Sequence, residues 1–227
     1  MKSKVINSLL TNVFIVRYCL LALTITSFLP LTFAQDSALV TKTYLINKDI
    51  PLYEFKLFDF DIDSISNQQE YEIRISMGTQ FIQEIIASAM DEGTHIWLED
   101  SLLDINFDGY NDFLLCEMSG EAGKNQFYDC WLFYPDSEKF IYNSDLSGLC
   151  NISTDESKKL LYVHMFDGCA SQCYDRFIYR VINNKPILTE KEDQFYDLDT
   201  GKIRRIIEFY ENGKLISKKE VEPVEIE

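Results

Sequence analysis

An Asn-Gly pair set between two alternating runs constrains this chain more than any other feature. Residues 202–210 and 215–221 flank Glu211-Asn212-Gly213-Lys214. Asn-Gly is the favoured pair for a two-residue type I′ connection, because both central residues must take positive φ. The same grammar recurs upstream. Residues 40–46, 53–60, 71–77, 113–117, 127–133, 140–142, 149–153, 159–166 and 174–182 read as strands, with turn signals at Gly78-Thr79, Asn183-Asn184-Lys185-Pro186 and 197–201. Strands at this spacing predict a mainly β fold: antiparallel sheets and hairpins in a sandwich or an irregular propeller-like arrangement. Residues 80–90 read two ways. Phe81, Ile82, Ile85, Ile86, Ala89 and Met90 fit a helical stripe, yet the segment also serves as a strand returning from Gly78.

One loop carries chemistry. Asp104, Asn106 and Asp108 stand at alternate positions, Gly109 follows, and Asp112 completes the pattern before the apolar run Phe113-Leu114-Leu115. A hard cation such as Ca²⁺ takes six to eight oxygen ligands, which such a loop supplies from side chains at every second residue. The candidate ligands are Asp104, Asn106, Asp108 and Asp112 through their side chains, and Tyr110 through its backbone carbonyl. Gly109 lets the chain turn at positive φ. An EF-hand is excluded, because its twelfth position needs a bidentate Glu and this chain has Leu115 there. The simpler alternative is an acidic turn. The form DxNxDGxxD running into a strand resembles the calcium loops of FG-GAP and VCBS repeat proteins, but the motif occurs once, against a full propeller of such repeats.

The order of further features extends the resemblance. Ile75-Ser76-Met77-Gly78-Thr79-Gln80-Phe81-Ile82-Gln83 precedes the loop, and the aromatic strand Trp131-Leu132-Phe133-Tyr134 and Phe140 follow it. Over residues 71–182 the chain is similar to a family of periplasmic bacterial proteins with a single NFDGYxD-type calcium loop. Some of those proteins are immunity proteins that inhibit lysozyme-like peptidoglycan hydrolases delivered by type IV secretion. The resemblance implies a strand after Gly78, bound calcium, and a basic lysozyme-like hydrolase as partner. Cys169, Cys173 and the C-terminal hairpins have no counterpart in it.

The N-terminus sets the expected compartment. Lys2, Lys4 and Arg17 precede an apolar run over 18–31, and Thr32-Phe33-Ala34 offers small residues at a cleavage site. That is the layout of a secretory signal peptide over residues 1–34. The run of 16 residues to Phe33 is short of the roughly 20 needed to span a bilayer. Residues 35–227 then form one β-rich domain, with a C-terminal hairpin over 202–221 and a loose tail over 222–227. Loss of Lys2, Lys4 and Arg17 leaves 18 Lys+Arg against 37 Asp+Glu, a formal charge of −19 compared with −16 for the whole chain. Such a chain repels nucleic acid and anionic lipid and favours basic partners.

Five cysteines follow residue 34, and export makes disulfides the expectation. Cys169 and Cys173 sit between two strand-like runs, where a bridge would staple them. Cys116 and Cys130 lie symmetrically about Gly123, so a hairpin in that register sets them face to face and permits a second bridge. Cys150 is left over. Zinc is disfavoured, since His95 and His164 are too few and too scattered to complete a ligand set.

These features point to an exported, non-catalytic calcium-binding protein of the inhibitor type. It needs no catalytic residues, only a rigid scaffold that presents loops. Residues 118–126 form the candidate contact element, with Glu121, Lys124, Asn125 and Tyr128 as candidate contacts. Trp131 reads as core. A secreted glycosidase-type hydrolase is one alternative, but carboxylate pairs such as Glu99-Asp100 arise by chance among 37 acids. No GxSxG, HExxH or phosphate-binding Gly-rich motif occurs. The other alternative is a calcium-stabilised surface scaffold or adhesin module.

Overall fold

The computed structural model describes residues 38–62, 69–89, 98, 101–120 and 124–224. Residues 1–34, where the signal peptide is expected, Met90, His95, the pair Glu99-Asp100, Glu121 and residues 225–227 lie outside them. Among the described residues the strands form three antiparallel sheets. The first contains β1 (Val40–Tyr44), β2 (Tyr53–Ile62), β3 (Gln69–Met77) and β4 (Gln80–Ala89) in sequence order. The second contains β5 (Leu102–Leu103), β6 (Asp112–Gly120), β7 (Asn125–Tyr134) and β8 (Lys139–Tyr142), with β9 (Leu149–Cys150) paired to β7. The third runs through β10 (Ser153–Asp155), β11 (Leu160–Phe166), β12 (Tyr174–Ile182), β13 (Lys185–Asp197), β14 (Lys202–Glu211) and β15 (Lys214–Val221). Among the described residues there is no α-helix, only a 3₁₀ turn at Cys169–Ser171. The layering is that of a sandwich, without a closed barrel.

The second sheet is the middle layer, and its sequence explains why. Phe113, Leu115, Trp131 and Phe133 point into one core with Tyr53, Phe55, Ile73 and Ile75 of the first sheet. Leu114, Cys130 and Leu132 point the other way, onto Leu161, Tyr179 and Val181 of the third. A strand buried on both faces reads as a continuous apolar run, and a strand with one wet face alternates. β2 shows the alternation: Tyr53, Phe55 and Leu57 are buried, while Glu54 and Lys56 between them form a surface ion pair. Trp131 is core, as its position in a strand suggested.

Residues 80–89 form a strand, as the resemblance implied, and the misleading helical stripe has a local cause. Ile75 faces Gln83 while Ser76 faces Phe81, so Ile82 is an extra residue in a β-bulge. The bulge resets the alternation and turns both Ile82 and Ile85 inward, three positions apart. The two-residue connection between β14 and β15 has positive φ at both Asn212 and Gly213, as its sequence required.

Among the described residues, Gln83, Asn125 and Gln194 each hold both the amide and the carbonyl of one distant residue. Gln83 of β4 donates to the Phe140 carbonyl (3.0 Å) and accepts from the Phe140 amide (2.7 Å), clasping the first sheet to the second. Asn125 of β7 treats Phe166 of β11 in the same way, with both contacts at 2.9 Å. Gln194 of β13 holds the amide and the carbonyl of Val224, both at 2.8 Å. The segment 222–224 is therefore pinned where a loose tail was expected. Asn125→Ala leaves the half-buried Phe166 amide and carbonyl without their side-chain partner, an expected loss of about 1 kcal/mol by urea unfolding. Asn125→Asp should not rescue it, because a carboxylate has no N–H for the Phe166 carbonyl. A wild-type midpoint for either variant would remove Asn125 from the list of stabilising contacts.

Candidate functional site

The loop between β5 and β6 is held by its own backbone amides. Asp104 accepts from the amides of Asp108 (3.1 Å) and Gly109 (2.9 Å). Asn106 Oδ1 also accepts from the Asp108 amide (3.1 Å), and Asp108 accepts from the Tyr110 amide (2.9 Å) and from Asn106 Nδ2 (3.0 Å). Gly109 has φ +92°, so any side chain there is strained by the backbone alone. The loop is also moored to the segment after β1. Asn47 donates to the Gly109 carbonyl (2.6 Å), the Asn111 amide to the Ile46 carbonyl (2.8 Å), and Asn111 Nδ2 to the Leu45 carbonyl (3.0 Å). Tyr110 lays its ring 5.5 Å from that of Phe133.

Asp112 occupies a different environment. It is 0 % exposed, and its two oxygens accept from the amides of Ile105 (3.1 Å) and Phe133 (2.9 Å), so it braces the loop against β7. Burial pushes its pKa up to about 8 against those amides, with Asp108 and Asp104 adding repulsion. Burial and the Asp108 charge also raise Asp104, partly offset by amides. Among the described residues none of these three carboxylates has a salt-bridge partner, and no three His, Cys, Asp or Glu side chains gather as a metal-holding group. The donor types and the uncompensated negative charge fit an oxygen-seeking cation. Each carboxylate oxygen already accepts one hydrogen bond and retains one lone pair.

The other sequence candidates separate. Cys169 and Cys173 are bridged, with Cα atoms 5.3 Å apart. Cys116 and Cys130 are not. A bulge between Cys116 and Met118 shifts the hairpin, setting Cys116 opposite Tyr128 and Cys130 opposite Leu114. Cys150 also stays a thiol, buried beside β7. Asn125 is unavailable to a partner, since it is 6 % exposed and committed to Phe166. Tyr128 is half-buried, donates to Gln126 Oε1 (2.8 Å) and packs on the second core. Lys124 is exposed, with its ammonium 5.9 Å from the centre of the Phe166 ring.

A polar cluster in the third sheet has no signature in the sequence. Glu192 of β13 is 1 % exposed and accepts from Tyr174 Oη, Arg176 Nη2 and Arg205 Nε, the last at 2.7 Å. Register brings these residues together, with Arg176 and Ile207 flanking Glu192 on neighbouring strands. His164 stacks on Phe166 (4.5 Å) and lies near Tyr174 (5.2 Å), and burial together with Arg176 lowers its pKa.

No family model matches the chain, and no curated protein matches it in sequence. A solved structure of a Xanthomonas type IV secretion system related protein does match in fold. The TM-score is 0.50 at 17% identity, covering 80% of this chain and 98% of that one. The likeness is one of fold.

Proposed function

We propose that this is an exported, non-catalytic binding protein that inhibits a basic lysozyme-like peptidoglycan hydrolase, with calcium held at residues 104–112. The observation that carries the reading is the fold shared with the type IV secretion related protein, which takes in nearly all of that chain. Two features support it. The Cys169–Cys173 bridge suits an oxidising compartment outside the cytoplasm. A formal charge of −16 favours rapid encounter with a basic enzyme.

Inhibition is tested by measuring peptidoglycan hydrolysis by a panel of basic lysozyme-like enzymes with and without the protein. Dose-dependent loss of hydrolysis is expected for at least one of them, and full hydrolysis throughout the panel sinks the inhibitor reading. For calcium, Asp104, Asn106, Asp108 and Asp112 would supply side-chain oxygens and Tyr110 its carbonyl, and the ion would neutralise their mutual repulsion. The thermal midpoint should rise by several degrees in millimolar calcium relative to chelator, and Asp108→Ala should abolish the rise. Equal midpoints in both solutions reduce the loop to an acidic turn.

A further inference from the structure

We propose that the partner docks on the surface made by Tyr134, Ile141 and the Asn183-Asn184 turn beside the 104–112 loop, a proposal that rests on the inhibitor reading above. Leu132, Tyr134 and Ile141 share one face of β7 and β8 by register. Leu132 is buried in the core beneath the third sheet. Tyr134, two residues further on, meets the side chain of Asn184 and remains 38% exposed, and Ile141 is 49% exposed.

The surface is rigid because four segments are tied together there. Asn183 and Asn184 form a two-residue connection between β12 and β13, with positive φ at both. Asn184 Nδ2 donates to Tyr134 Oη (3.2 Å), and Asn106 Nδ2 of the loop donates to Asn184 Oδ1 (3.3 Å). Asn143, just past β8, donates to the Asn184 carbonyl (3.1 Å), and Lys185 pairs with Asp145 (3.1 Å). A tyrosine on an ordered frame is the kind of anchor that dominates interfaces, since little freedom remains to be lost on binding.

Charge specifies the occupant. Asp104 and Asp108 lie in the adjoining loop and Asp136 and Glu138 are exposed in the β7–β8 turn, four acids against two lysines, Lys139 opposite Tyr134 and Lys159 at the Phe107 carbonyl. A basic protein surface with an apolar centre complements this arrangement, where an acidic one would be repelled.

The test uses whichever basic hydrolase the protein inhibits, with Ile141→Lys, Tyr134→Ala and, as a control, Ile216→Lys. Ile216 is 62% exposed on β15, in the edge strand of the third sheet. The two surface variants should weaken inhibition at least tenfold with the thermal midpoint of Ile141→Lys unchanged, and the control should change it less than twofold. Inhibition retained by both variants overturns this surface and leaves the inhibitor reading standing, and equal weakening by Ile216→Lys overturns it too. If the unsubstituted protein inhibits no basic hydrolase, the inhibitor reading falls and takes this surface with it.

Discussion

Glu192→Ala is expected to lower the unfolding free energy by about 3–5 kcal/mol, because removing one member of a buried charge cluster strands the others. Arg205 is the more buried of its two arginine partners and Arg176 the more screened, so most of the loss should come from Arg205 and Tyr174. The effect also carries a pH signature. Burial alone would raise the Glu192 pKa, but hydrogen bonds from Arg205 and Tyr174 and the charges of Arg176 and Arg205 outweigh it and hold the group below its ordinary value of 4.5. A depressed carboxylate contributes stability that is present above the ordinary value and lost as the pH falls through the folded one. Urea unfolding of the wild type and Glu192→Gln should therefore differ at pH 7 and converge in acid. A gap that stays constant down to pH 3 would mean that the charge on Glu192 does not matter.

Asp112→Ala ranks second. The substitution leaves two buried amides, Ile105 and Phe133, without acceptors, at about 1–3 kcal/mol each. The loss should appear in chelator as well as in calcium, because these bonds need no ion. Asp112→Asn keeps one carbonyl acceptor but turns an N–H donor toward the second amide, so it should recover no more than half. Asp108→Ala is the informative contrast. Asp108 is exposed, and its oxygens serve only the loop, so its loss in chelator should be small. If Asp112→Ala and Asp108→Ala behave alike in chelator, Asp112 is not a brace between the loop and β7.

The parts of the fold legible in the sequence are those whose cause is local. The Asn212-Gly213 turn requires only a two-residue conformation, and β2 and β3 alternate because each presents one face to a core. The middle sheet announces itself as unbroken apolar runs at 113–115 and 130–133. What escaped reading depends on distant register. The bulge at Ile82 imitates helical spacing, and two shifts of one residue each, a turn that sets Gly120 opposite Asn125 and the bulge beside Cys116, separate two cysteines that symmetry about Gly123 would have paired. Strand β13 carries no alternating signature, because Lys185–Asp197 has Pro186 at its second position and charges on both faces. The run 149–153 has the spacing of one strand but belongs to two, β9 on the middle sheet and β10 on the third. Within the candidate site, the alternating donors of the loop were visible. The burial of Asp112 was not, because half of its environment, the Phe133 amide, lies 21 residues away.

The carboxamide clasps have a consequence for how the layers choose their positions. Apolar contact between sheets is nearly indifferent to small sliding, since one greasy neighbour replaces another at little cost. A clasp is not indifferent. It matches one donor and one acceptor to the amide and carbonyl of a single residue, and a displacement by one residue presents that pair on the opposite edge of the strand. Gln83 and Asn125 thus act as detents, each giving a continuous range of sheet offsets one deep minimum. The offset of the first sheet on the second, and of the second on the third, is inherited from those two settings.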